Sequence, residues 1–177
     1  ILGNYINRVF VLCDKFFDKK VPKPIDDNVD NEIFSELDDL KGKIELSIQN
    51  FKFREAMSYV IDVARLGNKY LTDTEPWKIF KENPKRVKDI LHNSVQIVAN
   101  ISILCEPFIP FTSKKIKELL NISDINWSNV SSSIVNAGHE ISGKAHIFSK
   151  IEDQAIEDQI KKLKLNDKND KIMPQKN

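Results

Sequence analysis

The chain has 177 residues, of which 41% are hydrophobic and 30% charged, enough apolar material for one packed domain and too much for a disordered tail. Its net charge of +1 excludes a globally basic nucleic-acid binder, so any contact with nucleic acid has to come from a local patch. Two cysteines, Cys13 and Cys105, are too few for a disulfide scaffold. The most apolar stretch, 90–111, contains Gln96 and Asn100, which predicts a buried core helix and not a membrane span.

Apolar residues that recur at three- and four-residue steps predict a series of helices along the chain. Their approximate bounds are 2–17, 28–49, 53–71, a short helix around 77, 83–105 and 112–121. Short links between them favour antiparallel neighbours, so we expect an all-α, up-and-down bundle of about five helices. An irregular return arm follows over 122–149.

The chain closes with one more predicted helix and a polar tail. A capping box at Ser149 and Glu152 predicts a C-terminal helix to about Leu163. We therefore place the domain at 1–165 and a linker or disordered tail at 166–177.

Polar residues before three helices are candidate N-caps. Asn83, followed by proline, is a clear start signal. Asp73 or Thr74 is expected to cap the short helix that carries Trp77, and Thr112 or Ser113 the helix that follows 105. These caps predict where each helix begins.

Signals of catalysis are lacking in the sequence. It contains no glycine-rich phosphate loop, and its three histidines, His92, His139 and His146, have no cysteine or carboxylate at metal-ligand spacing. We expect His92 at the surface and a structural role for His139. Both cysteines fall on apolar stripes, as core residues do. We therefore predict no catalytic and no metal-binding residue in this chain.

Two groups of residues suggest binding of an unpaired base. Asn4 and Arg8 lie four residues apart on the polar face of the first helix, with Asn7 at its edge. An amide and a guanidinium together offer the donors and acceptors that read a base edge. The second group is Pro76-Trp77, where an indole exposed at a helix start could stack on a base. The alternatives are a solvated helix face and a tryptophan that fills the bundle.

Several strings along the chain carry a family resemblance. They are Leu2-Gly3-Asn4-Tyr5-Ile6-Asn7-Arg8, Gly67-Asn68-Lys69-Tyr70, Pro76-Trp77-Lys78, Glu106-Pro107-Phe108-Ile109-Pro110-Phe111 and Phe148-Ser149-Lys150-Ile151-Glu152. In this order the set resembles the anticodon-binding domain of bacterial methionyl-tRNA synthetases, which are class I enzymes. The resemblance covers residue 1 to about 165, nearly the whole chain.

The resemblance implies a parent enzyme that joins methionine to tRNA with ATP in the cytoplasm. Its catalytic domain, with ATP and possible Mg and Zn sites, would precede Ile1, and we expect this chain to be a non-catalytic piece of it without a cofactor of its own. Its partners would be that domain and the initiator and elongator methionine tRNAs, with no DNA and no membrane. Family members contact the CAU anticodon through residues that match Asn4, Arg8 and Trp77. Asn7 and Pro76 form a second tier of candidates.

Charge places the expected RNA on one side of the bundle. Exposed lysines after the first helix would meet phosphates, whereas the acidic run 26–39 would face away. The lysines are Lys15, Lys19, Lys20 and Lys23. Two other interpretations stay open: the same domain of another class I synthetase, or a helical protein-interaction module. In the latter, Trp77 would be buried and Asn4 and Arg8 would form internal pairs.

Overall fold

A computed structural model describes residues 1–26, 30–130, 133–144, 146–148 and 151–170, with side chains through residue 163. Two compact units make up the fold, Ile1–Ile147 and Phe148–Asn177. The helices are α1 (Leu2–Phe17), α2 (Asn31–Gln49), α3 (Phe53–Thr74), α4 (Pro76–Ile79), α5 (Pro84–Leu104), α6 (Pro110–Leu120) and α7 (Asp153–Asp170), with a 3-10 turn at Trp127–Asn129. The described ranges contain no strand, which confirms the all-α prediction.

Helix ends differ from the prediction in several places, and the starts of α2 at Asn31 and of α6 at Pro110 are among them. Helix α3 continues past Leu71 to Thr74, and α7 continues past Leu163 to Asp170. The predicted linker begins at 166, so α7 includes its first residues, while 171–177 lie outside the described residues. The domain boundary at 165 stays a prediction. Ser149, the first residue of the predicted capping box, also lies outside the described part.

One of the predicted N-caps is confirmed and two are wrong. The Asn83 side chain accepts a hydrogen bond from the backbone N–H of Arg86 at 3.1 Å, as a cap should. Thr74 belongs to α3, and its hydroxyl donates to the Tyr70 carbonyl one turn back. Ser113 lies inside α6, where its hydroxyl donates to the Ser102 carbonyl of α5. Each of these hydroxyls satisfies a helix carbonyl and does not cap a helix N-terminus.

Contacts between residues far apart in sequence show the antiparallel packing of α2 and α3. Ser47 near the end of α2 donates to Glu55 at the start of α3 at 3.1 Å. At the opposite end of the pair, the Tyr70 hydroxyl donates to Asp30 at 2.7 Å. Helices α5 and α6 also pack on each other, and the Ser113 hydroxyl of α6 donates to the Ser102 carbonyl of α5 at 2.6 Å. Short connections therefore produce the predicted up-and-down arrangement.

Helix α5 lies at the centre of the core. All but two of its residues from Val87 onward are buried, in agreement with the core helix predicted from the apolar stretch 90–111. Its neighbours are α3, α6, α1 and α4, which cover it on several sides. His92, predicted to lie at the surface, is half-buried, and its Nδ1 lies 3.0 Å from the Pro22 carbonyl oxygen. The surrounding helices exclude water from nearly the whole circumference of α5.

The return arm is fixed to the bundle by a buried amide. The side chain of Gln96, fully buried on α5, accepts hydrogen bonds from the backbone N–H groups of Ile134 and Val135 and donates to the Val135 carbonyl. Further along, Lys20 and Glu140 form an isolated antiparallel bridge. Polar residues of the core helix thus supply partners for irregular backbone.

Candidate nucleic-acid interface

The sequence of α1 divides it into a buried and an exposed face. Tyr5, Ile6 and Val9 are fully buried. On the other side Asn4 is exposed, and Arg8 is half-buried. The helical period therefore directs the two predicted base-reading side chains away from the core, although Arg8 does not lie fully in solvent.

A close helix contact sets the position of α1. The ring of Tyr5 packs directly on Gly67 of α3, where a Cβ atom would lie 2.3 Å from Cζ of the ring. The hydroxyl of Tyr5 donates to the Ser94 carbonyl of α5 at 3.1 Å, and burial raises the pKa of this phenol well above its ordinary value. Tyr5 thus connects α1 to two helices at once, one turn before Arg8.

Arg8, Asn68 and Trp77 converge although they come from three helices. The guanidinium carbon of Arg8 lies 5.1 Å from the centroid of the Trp77 ring, a cation–π distance. Its Nη1 donates to Oδ1 of Asn68 at 3.3 Å. We call these three side chains the Arg8–Trp77 surface.

The turn before α4 places Trp77 at the surface. Glu75 adopts a left-handed conformation, with φ 41°, and ends α3 while it leads into α4. Pro76 follows as the first residue of α4 and is buried, and Lys78 pairs with Glu75 at 2.8 Å. Trp77 comes next and keeps 38% of its surface exposed. The indole is therefore fixed by its neighbours yet accessible to a ligand.

The predicted site residues fall into two groups. The structure brings Arg8 and Trp77 into contact, and it leaves Asn4 exposed one turn earlier on α1. Of the second tier, Asn7 is half-buried and Pro76 is buried, so Pro76 offers support and not a contact surface. The roles of all five in binding stay predictions.

Asn68 belongs to the same cluster and is absent from the predicted site. The sequence contains one signal for it: it follows Gly67 in the string Gly67-Asn68-Lys69-Tyr70, which carries the family resemblance. Its contact with Arg8 joins positions far apart in the chain, so periodicity within α3 does not reveal it.

The partners of the arginines distinguish Arg8 from two others. Arg86 forms an ion pair with Asp30 at 2.7 Å, and Arg65 pairs with Asp62. Burial alone would raise the pKa of Asp30, but hydrogen bonds from Arg86 and from Tyr70 outweigh it and hold that pKa below its ordinary value. Arg8 instead contacts a neutral amide and an aromatic ring. Among the described residues no carboxylate pairs with it, so its positive charge remains available to a ligand.

Lysines extend the positive surface beyond Arg8. The four predicted phosphate-binding lysines, Lys15, Lys19, Lys20 and Lys23, are exposed. The ammonium of Lys15 lies 5.4 Å from the ring centroid of Phe16, and Phe16 stacks on Phe80, the residue after α4, at 4.1 Å. This stack places Lys15 on the side of α1 that leads toward α4. Phosphate contacts from such exposed lysines remain a prediction.

The described part of the chain offers no cluster of metal ligands, and its two thiols are buried. No group of three His, Cys, Asp or Glu side chains is placed to hold a metal ion there. Burial raises the pKa of the Cys13 and Cys105 thiols to about 12, which keeps them protonated and unreactive near neutral pH.

A cleft of about 410 Å³ lined by Lys23, Phe34 and His92, among others, includes no member of the Arg8–Trp77 surface. None of the described helices has the length and apolar character needed to cross a membrane.

Solved structures share the fold of this chain. Methionyl-tRNA synthetase from Mycobacterium tuberculosis, solved in complex with methionyl-adenylate, matches with a TM-score of 0.69 at 21% sequence identity. The match covers 84% of this chain and 30% of that chain. The apo form of the same synthetase matches with a TM-score of 0.68. The bundle therefore has the fold of a helical part of an aminoacyl-tRNA synthetase.

Sequence comparison defines the family. A family model described as the anticodon binding domain of methionyl tRNA ligase matches residues 23–167. The methionine–tRNA ligase of Cytophaga hutchinsonii is 47% identical over 165 residues, and that of Bacteroides fragilis strain YCH46 is 41% identical over 165 residues. Each alignment covers 92% of this chain and 24% of the relative, so the chain spans about a quarter of their length. The chain belongs to the family of methionyl tRNA ligase anticodon-binding domains.

Proposed function

We propose that this domain binds the anticodon loop of methionine tRNA and recognises the CAU anticodon through Asn4, Arg8 and Trp77. The observation that carries the proposal is the unpaired charge of Arg8 beside a half-exposed indole, on the surface of a member of this family. Asn7 lies at the edge of the same face, and buried Pro76 precedes Trp77 at the start of α4.

The chemistry of an anticodon loop fits this surface. Sequence-specific readers of RNA bind unpaired bases, stack them on aromatic rings or guanidinium planes, and form hydrogen bonds to their edges. Trp77 supplies a π surface worth about 1–3 kcal/mol for each stacked base. Arg8 supplies a planar set of donors, and Asn4 a donor and an acceptor. A domain of net charge +1 needs such contacts, because it attracts RNA only weakly over its whole surface.

The parent protein would be a methionine–tRNA ligase. The names of the relatives and their greater length support a larger methionine–tRNA ligase. In that enzyme a separate catalytic domain would join methionine to initiator and elongator tRNAs with ATP. Any Mg or Zn would belong to that domain, and the reaction would take place in the cytoplasm. This chain would contribute recognition and no chemical step. It would act on RNA, with neither DNA nor a membrane as a partner.

A binding comparison tests the proposal. Two tRNA transcripts, one with CAU and one with an altered anticodon, are titrated with the chain, and the ratio of their affinities is the readout. Trp77→Ala should weaken CAU binding by about 1–3 kcal/mol, or roughly 5- to 150-fold, and reduce the ratio. Trp127→Phe is the matched control, because that indole lies on the 3-10 turn and donates to Glu45.

Two further variants separate base reading from phosphate binding. Arg8→Gln should cost about 1–3 kcal/mol on the CAU transcript and reduce the ratio as well. Lys19→Ala should weaken both transcripts equally and lessen the salt dependence, as loss of a phosphate contact does. An unchanged ratio for folded Trp77→Ala would contradict the proposal and favour a docking module. A preference for another anticodon would favour a different class I synthetase.

A further inference from the structure

The Asn68 side chain uses both of its donor hydrogens within the fold. Its Nδ2 donates to the Ala64 carbonyl at 2.9 Å, one turn back on α3, and to the Ile1 carbonyl at 3.4 Å. With the nitrogen held on two carbonyl oxygens, Oδ1 is directed to the other side of the amide. There it accepts the hydrogen bond from Nη1 of Arg8 at 3.3 Å.

The residues around Asn68 limit its movement. Gly67, the preceding residue, lies against the buried Tyr5 ring. The Asn68 carbonyl accepts the hydroxyl of Thr72 at 2.9 Å. Asn68 and Arg8 are both half-buried, but Arg8 has a long side chain with many rotamers, whereas the Asn68 amide nitrogen is held by two hydrogen bonds. The amide is therefore the fixed member of the pair and the guanidinium the mobile one.

We propose that Asn68 is a positioning residue that holds the Arg8 guanidinium over Trp77, so that the base-reading surface is formed before RNA arrives. The inference depends on the function proposed above. A neutral amide is suited to the task, because it directs the guanidinium without cancelling its charge. A carboxylate at this position would hold Arg8 as well and neutralise it. Prior placement spares RNA the cost of ordering a long side chain.

The first experiment needs no RNA. In a Trp127→Phe chain, Trp77 is the remaining tryptophan, and its quenching by acrylamide measures access to the indole. Arg8→Ala should raise the quenching constant because it uncovers the ring. Asn68→Ala should raise the constant as well, whereas Asn68→Asp should leave Trp77 protected because a carboxylate still holds Arg8. Thr72→Val is the matched control, since its hydroxyl donates to the backbone carbonyl of Asn68 and not to the Asn68 side chain.

The second experiment is a double-mutant cycle on the CAU transcript. Asn68→Ala should weaken binding about three- to tenfold, in line with loss of one hydrogen bond to a charged group at a partly exposed site. In an Arg8→Ala chain, the additional Asn68→Ala substitution should weaken binding no further, because the effect of Asn68 on RNA depends on Arg8. Asn68→Asp should also weaken binding, although Arg8 stays in place, because the carboxylate cancels the charge. Circular dichroism confirms that each variant is folded.

The outcomes separate the two proposals. If Asn68→Ala leaves Trp77 quenching unchanged while Arg8→Ala raises it, Asn68 does not position Arg8 and the inference is wrong. The inference is also wrong if Asn68→Ala lowers the affinity for the CAU transcript equally in the wild-type and the Arg8→Ala backgrounds. Such a result would indicate a general structural role or a direct RNA contact. If quenching responds as expected but no variant changes CAU binding, Asn68 positions Arg8 and the proposed function fails.

Discussion

Replacement of Gly67 by alanine tests the contact that sets α1 against α3. The new Cβ would lie 2.3, 2.6 and 2.7 Å from three ring carbons of Tyr5, where carbon atoms normally stay about 3.5–4.0 Å apart. Tyr5 is fully buried, and its hydroxyl is bonded to the Ser94 carbonyl, so the ring has no free space to enter. Helix α1 therefore has to move by about 1 Å or more to restore a normal separation.

The size of the effect follows from two opposing contributions. Overpacking of a filled core costs about 1–3 kcal/mol and occasionally more, and a clash with a ring fixed at both ends belongs at the upper end of that range. Alanine in a helix interior gains about 1 kcal/mol over glycine. The net expectation for Gly67→Ala is a loss of about 1–2 kcal/mol in the free energy of unfolding.

Urea unfolding followed by far-UV circular dichroism measures this loss. Gly42→Ala in α2 is the matched control, because nothing lies within 4 Å of its added Cβ, and it should gain about 0.5–1 kcal/mol. Shortening the ring with Tyr5→Leu should make the Gly67→Ala cost much smaller, since the clashing atoms are gone. If the free energy of unfolding of Gly67→Ala were as high as that of Gly42→Ala, the close-contact argument would be refuted.

Three further results are expected. The pKa of Asp30 is lowered in the fold, so the Asp30 carboxylate stabilises the folded state above the ordinary aspartate pKa of about 3.9 and loses this effect as the pH falls through the folded pKa. The urea midpoints of wild type and Asp30→Asn should therefore converge in acid. Cys13 and Cys105 should not react with a thiol reagent in native protein at pH about 8 and should react after unfolding, as thiols with raised pKa values do. Gln96→Ala leaves two arm amides without their acceptor, so it should destabilise the chain by about 2–4 kcal/mol and speed hydrogen exchange at Val135.

The fold was largely predictable because helical periodicity is a local signal. The stripe of Ile6, Val9 and Cys13 predicts both the existence of α1 and its buried face, and the structure agrees. The errors lie at helix ends, where local sequence permits several solutions. Thr74 and Ser113 are good N-cap residues by type, yet here their hydroxyls donate to helix carbonyls. Which solution is adopted depends on packing.

The candidate site was only partly predictable. Asn4 and Arg8 share a helix, so spacing alone puts them on one face. The convergence of Arg8 with Trp77 depends on how α1 crosses α3 and on the turn at Glu75. Local sequence patterns predict neither of these features. The family resemblance supplied that pairing. Asn68 was missed because helical periodicity does not distinguish it, and its place in the string Gly67-Asn68-Lys69-Tyr70 does not show that it contacts Arg8.

The neutral partner of Arg8 connects the electrostatics of the chain to its proposed role. Arg86 and Arg65 form ion pairs with Asp30 and Asp62, so their positive charges are neutralised within the fold. Asp30 also accepts a hydrogen bond from the Tyr70 hydroxyl. If the whole protein were strongly basic, one more neutralised arginine would matter little to RNA binding. With a net charge of +1, the local field near Trp77 depends on which nearby cations have no carboxylate partner. An amide at Asn68 preserves that field while it fixes the direction of the guanidinium, and a carboxylate there would give direction alone.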